Sequence, residues 1–153
     1  MIKLFAVGNR FMKDDGIAIA VAQELKNSPL SQSIEIIIGE TDSYWCFDQI
    51  NRNDFVIILD ALYPDMLPGS VHVFSLNKAL AQDSNCTGQH DMSIIDLMRI
   101  YKLNLNGYII GIETAEVELG YDFSNSLARK FDKICADVRK SIDNIVLEVP
   151  NYA

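Results

Sequence analysis

The strongest constraint in this sequence is a run of five residues, Phe55-Val56-Ile57-Ile58-Leu59, that is apolar at every position and stops at Asp60. A strand with one wet face alternates apolar and polar residues, so a run without alternation suits a central parallel strand buried on both faces. Parallel neighbours need crossover connections, and amphipathic segments between further short apolar runs supply them. Ile2 to Val7 opens the chain as a strand, Ile34 to Ile38 is a β-branched run closed by Gly39, and Gly107 to Ile112 forms another. Val71, Val73 and Phe74 alternate with polar residues after the Pro64 and Pro68-Gly69 loop and predict an edge strand.

Helices fall between these runs. Ile17, Ala20, Val21, Ala22 and Leu25 share one face up to Asn27-Ser28-Pro29, and Thr41-Asp42-Ser43 precedes a short helix carrying Tyr44, Trp45, Phe47 and Ile50. Residues 76 to 89 are polar and read as a loop, followed by a helix within Met92 to Lys102. Ser124 caps a last long helix whose stripe runs through Leu127, Phe131, Ile134, Cys135, Val138, Ile142 and Ile145. The predicted fold class is α/β: a three-layer α/β/α sandwich with a mostly parallel twisted sheet of about five strands and helices on both faces. Residues 1–153 form one domain, with no repeat or linker.

Composition narrows the partners. A net charge of −8 argues against nucleic acid and against an anionic membrane surface, and no apolar run is long enough to span a bilayer. Cys46, Cys86 and Cys135 are widely spaced with no Cys-x-x-Cys pair, which fits a reducing cytoplasm and offers no sulfur-rich metal site. The N-terminus lacks the form of a secretory signal, and nothing demands more than a monomer. The expectation is a soluble, acidic, cytoplasmic domain.

The chemistry-bearing residues sit where strands end. After Val7 the chain breaks at Gly8-Asn9, residues suited to a sharp turn, and then presents Asp14 and Asp15 before a helix starting near Gly16. One carboxylate suffices to cap that helix; the other is left at the C-terminal end of a strand, where open α/β sheets place ligands. Asp60 ends the central run, and His90 follows a loop and precedes a helix. Two carboxylates and an imidazole would make a three-ligand site for a borderline divalent cation with positions left open.

Each residue alone has a plainer reading. Asp60 reads as a turn residue, Asp14-Asp15-Gly16 as a helix start and His90 as a helix N-terminal residue. His72 reads as part of a solvated face. Tyr44, Trp45 and Phe47 read as core, or Tyr44 and Trp45, with Gly39 and Thr41, as a groove beside the site. Cys86 has no second histidine placed to activate it, and no zinc-protease helix motif occurs.

Four blocks together resemble the hydrogenase maturation protease family. AVGNRFMKDDGIAIAVAQEL (6–25) is similar to its Gly-x-Gly-Asn turn with an Asp-Asp or Asp-Glu pair and following helix, and DFVIILDALYPDMLPGSVHVF (54–74) to its strand ending in Asp-Ala and a Pro-Gly turn. QHDMSIIDLM (89–98) is similar to its His-acid pair and helix, and YIIGIETAEVELGYDFSNSLARKF (108–131) to its Gly-Ile-Gln or Gly-Ile-Glu strand and the helix after it. Ala6 departs from the usual first Gly, and Gln89 from the small hydroxylic residue common before the His. The resemblance implies an endopeptidase that removes a C-terminal peptide from the nickel-loaded large-subunit precursor of a nickel–iron hydrogenase. It further implies that Asp15, Asp60 and His90 grip the nickel carried by that substrate; another divalent cation in the isolated protein remains open. A non-catalytic metal- or partner-binding relative, a nucleotide-binding domain and a shared-proton Asp15–Asp60 dyad are the alternatives. The absence of a Gly-x-Gly-x-x-Gly or P-loop motif, and acids where phosphate would sit, oppose the nucleotide reading.

Overall fold

The computed structural model describes residues 1–65, 67–82 and 92–149. Among these residues five strands, β1 (Ile2–Val7), β2 (Glu35–Glu40), β3 (Phe55–Leu62), β4 (Val71–Ser75) and β5 (Gly107–Glu113), make one sheet in the order β2-β1-β3-β5-β4. All pairings are parallel except β4 with β5, so β4 is the antiparallel edge strand that its alternation predicts. The helices are α1 (Ile17–Lys26), α2 (Ser43–Asp48), α3 (Leu76–Ala81), α4 (Ile94–Ile100) and α5 (Asn125–Glu148).

The pleat sorts side chains onto two cores. Ile2, Leu4 and Ala6 of β1 and Phe55, Ile57 and Leu59 of β3 pack with α1 and α5, the latter through Leu127, Ile134, Val138, Ile142 and Ile145. Phe5, Val56 and Ile58 face the opposite way and pack with Cys46 of α2, Leu76 of α3 and Ile94 and Met98 of α4. This is the three-layer sandwich expected. Residues Phe55 to Leu59 are each no more than 3% exposed, which accounts for their lack of alternation. Full burial of such side chains stabilises by roughly 1.5–3 kcal/mol apiece.

Several local expectations need correction. Residues 76–81 are not loop but α3: Leu76 is fully buried, and Arg99 of α4 donates to the Ala79 and Leu80 carbonyls at its C-terminal end. Residues 83–89 lie outside the described residues. β3 continues past Asp60 to Leu62, pairing Asp60 with Gly111, so Asp60 is a strand residue rather than a turn residue. Neither Asp14 nor Asp15 caps α1, whose start has no side-chain cap. Tyr44 and Trp45 are about half exposed rather than core, and Phe47 lies partly buried against the Tyr101 ring at 5.1 Å between centroids.

From β1 the chain crosses over α1 to β2, then returns behind α2 to β3 on the other side of β1. The strand order therefore reverses at the β1/β3 boundary. In open α/β sheets the crevice outside the carboxyl ends of the strands at such a boundary is where ligands bind.

Candidate functional site

At the carboxyl end of β1 the chain turns sharply at Gly8, with φ +143°, a value that side-chain-bearing residues rarely adopt. A Cβ there would lie 2.2 Å from the Asp15 carbonyl oxygen, so glycine is needed for the close approach of the next turn. Asn9 secures that approach at both ends. Its N–H donates to Asp15 Oδ2 at 2.8 Å, and its Oδ1 accepts from the Phe11 N–H at 2.9 Å. Asp15 thus rides on a 3-10 turn, Lys13–Gly16, folded back over the end of β1.

Asp60 arrives from the neighbouring strand and lies on the side of the sheet covered by α2 and α4. Together with Asn9, Asp15, Thr41, Ser43 and Ser93 it lines a cleft of ≈ 240 Å³. Burial pushes the Asp60 carboxyl up to about 7; the Ala61 N–H, 2.8 Å from Oδ1, opposes this, and the nearby Asp15 charge adds to it. A carboxyl titrating near neutrality can accept a proton from water or exchange its proton for a cation.

Asp15 and Asp60 therefore meet in one cleft, as their strand positions predict. His90 lies outside the described residues. Among the described residues no group of three or more His, Cys, Asp and Glu side chains is arranged to hold a metal ion. Cys46 is fully buried, and burial pushes its thiol up to about 11, which makes it inert packing. Cys86 lies outside the described residues.

The structure adds partners that the sequence did not show. Asp14, fully buried, accepts hydrogen bonds from three backbone N–H groups of the segment after β5: Ala115 at 2.9 Å, Glu116 at 2.8 Å and Ser124 at 2.7 Å. Lys13 beside it, with φ +45°, pairs with Glu116 and Glu118, whose carboxylates raise its pKa. Glu113, at the end of β5, accepts from the Asp65 and Leu67 N–H groups and pairs with His72 Nε2 at 2.9 Å. His72 is thus a hydrogen-bond partner of Glu113 and not only part of a solvated face. The signals for Asp14 and Glu113 were present, in the Asp-Asp-Gly and Gly-Ile-Glu blocks, but their partners lie too far along the chain to be read.

A larger cavity, ≈ 480 Å³, opens at the other end of the sheet among Arg52, Asp54, Asn77 and Asn106. Its acid, Asp54, is committed to a buried ion pair with Lys3 at 2.9 Å. The switch-point cleft, with its two strand-end carboxylates, is therefore the better functional site. Among the described residues no helix is long and apolar enough to cross a membrane.

These features define an open α/β domain with a carboxylate pair at the topological switch point. Solved structures show where that fold recurs. The chain is similar to the NiFe hydrogenase maturation protease HybD from Thermococcus kodakarensis, at 26% identity and a TM-score of 0.65, over 91% of this chain and 97% of that one. It is similar in fold to the hydrogenase maturating endopeptidase HybD from E. coli, with a TM-score of 0.73 and 17% identity over 94% and 92% of the two chains. The NiFe hydrogenase maturation protease HycI from Thermococcus kodakarensis KOD1 gives 0.70 and 16% over 91% and 90%. The chain has the fold of the hydrogenase maturation proteases and resembles that family along nearly its whole length. No protein-family model and no curated protein matches the sequence.

Proposed function

We propose that this protein is the endopeptidase of a nickel–iron hydrogenase maturation step, removing a C-terminal peptide from the nickel-loaded large-subunit precursor. The observation that carries the reading is the meeting of Asp15 and Asp60 in the cleft at the β1/β3 switch point. The likeness to HybD from Thermococcus kodakarensis supports the class of substrate.

Nickel enters as part of the substrate. Carboxylate oxygens are hard donors and imidazole is a borderline one, so Asp15 and Asp60, with His90 as the third donor, suit a borderline divalent ion with positions left for the precursor. Asp60, with a pKa near 7, is the group whose proton a docking cation displaces at little cost. We also assign to Asp60 the proton of the attacking water, and a cation held beside the scissile bond would polarise its carbonyl. Recognition of the ion confines cleavage to metal-loaded precursor. The acidic, monomeric, cytoplasmic character expected from composition fits this role, in which neither nucleic acid nor membrane takes part.

The test is intact-mass analysis of a hydrogenase large-subunit precursor co-expressed with this protein, with and without nickel. The expected result is nickel-dependent loss of a C-terminal peptide that disappears in Asp60→Asn and His90→Ala. An unchanged mass for nickel-loaded precursors would turn the assignment to a metal- or partner-binding relative without protease activity.

A further inference from the structure

Asp14 does not line the cleft, yet it is a fully buried carboxylate beside it that accepts three backbone N–H bonds. All its described hydrogen-bond partners are donors: Ser124 N–H to Oδ1, and Ala115 and Glu116 N–H to Oδ2. Its own N–H donates to the Glu116 carbonyl at 3.2 Å. The flanking turn is fastened to the same segment: Lys13 N–H donates to the Gly120 carbonyl and Gly120 N–H to the Phe11 carbonyl, both at 2.8 Å. That segment is in turn tied to the strand that bears Asp60. Thr114, fully buried, donates its N–H (3.0 Å) and its hydroxyl (2.7 Å) to the Leu62 carbonyl at the end of β3.

A continuous hydrogen-bonded path thus runs from the turn holding Asp15, through Asp14, Ala115 and Thr114, to a residue two places beyond Asp60. The two acids come from different strands, and both ends of this path are fixed within two residues of them. We propose that Asp14 is a positioning residue: its carboxylate locks the Asp15 turn to the β5–α5 segment and so sets the separation of Asp15 and Asp60. The catalytic part of this inference rests on the function proposed above. A carboxylate is required, because an amide offers one acceptor oxygen and would turn N–H donors against the N–H groups it faces. Leaving such groups unpaired in a buried site is costly and would let the turn move.

The experiment compares Asp14→Asn with two substitutions at one of its donors. Ser124→Pro removes the N–H bound to Asp14, and the local φ of −53° accommodates proline; Ser124→Ala keeps that N–H and loses only the hydroxyl that caps α5. The first readout needs no activity: amide hydrogen exchange at Asn9, whose N–H is held by Asp15. Protection there is expected to fall at least tenfold in Asp14→Asn and in Ser124→Pro, but to stay near wild type in Ser124→Ala, with the β1 amides protected in all three. The second readout is cleavage of nickel-loaded precursor at a temperature well below unfolding. There, kcat should fall at least tenfold in the same two variants while KM changes less than threefold. Should Asp14→Asn not fold, Ser124→Pro against Ser124→Ala carries the comparison. Wild-type protection at Asn9 overturns the proposal, and so does wild-type kcat in a precursor that is cleaved. If no precursor is cleaved by the wild type, the proposed function falls, and Asn9 exchange alone still decides whether Asp14 positions the turn.

Discussion

Asp15 and Asp60 reach one cleft from adjacent parallel strands, and burial, with the nearby Asp15 charge adding to it, lifts the Asp60 carboxyl to about 7. A carboxyl whose folded pKa lies above its unfolded value binds its proton more tightly in the native state. The stability this contributes is fully present below the ordinary value of 3.8 and is lost as pH rises to about 7. Asp60→Asn, neutral at every pH, should therefore gain on the wild type from pH 4 upward, with the gap levelling above pH 7 at up to a few kcal/mol. Thermal unfolding of both proteins at pH 4, 6 and 8 checks this; parallel curves would mean that Asp60 is not strained in the fold.

Under the proposed function the same proton governs cation binding. A cation entering the cleft must displace it below pH 7, so the affinity of the isolated protein for nickel ion should rise about tenfold between pH 6 and pH 8. Titration calorimetry in two buffers of different ionisation enthalpy would detect both the trend and the released proton. A flat profile would place the cation elsewhere than against Asp60.

Gly8 makes the approach of the Asp15 turn possible. A methyl group at position 8 would sit 2.2 Å from the Asp15 carbonyl oxygen, on a backbone with φ +143°. Gly8→Ala should lower stability by about 2–4 kcal/mol and displace Asp15. Precursor cleavage, measured where the variant remains folded, should then fall by at least tenfold. Retained cleavage in a folded Gly8→Ala protein would show that Asp15 tolerates displacement.

How much of this was legible in the sequence follows from the range of each interaction. β1, β2, β3 and β5 were readable because burial leaves continuous apolar runs, and Asp15 and Asp60 because one follows the turn after the first run and the other closes the third. α3 was not readable: its anchors, Leu76 and Leu80, lie among polar residues, and the Arg99 groups that satisfy its last carbonyls are about twenty residues away. Tyr44 and Trp45 misled because a six-residue helix cannot turn Tyr44, Trp45, Cys46 and Phe47 all inward. Cys46 takes the buried face, and the exposed Tyr44 hydroxyl donates to the Met92 sulfur at 3.6 Å. Asp14 resembled a helix cap because its three donors lie 101 to 110 residues downstream, beyond any local pattern.

At the far end of the sheet, Lys3 and Asp54 form a buried ion pair that supports the β1/β3 junction from below. The Lys3 ammonium lies 2.9 Å from Asp54 Oδ2 and donates to the Gln49 carbonyl at 2.6 Å, and both residues are less than a tenth exposed. Burial pushes the Asp54 carboxyl up, but the Asn51 N–H and the Lys3 charge outweigh it and hold it below 3.8. Stability from such a group is present above its unfolded pKa and is lost as pH falls through the lower folded value. Lys3→Met leaves the carboxylate buried with the Asn51 N–H bond at 2.8 Å and the N-terminal ammonium at 3.6 Å but without the Lys3 ammonium, and should cost about 2–3 kcal/mol at pH 7. At pH 3 the difference should shrink, because protonation of Asp54 removes the charge that the N-terminal ammonium alone compensates only in part. Urea unfolding midpoints at the two pH values test the sign. A difference of the same size at both would mean that Lys3 contributes through its aliphatic stem and not through its charge.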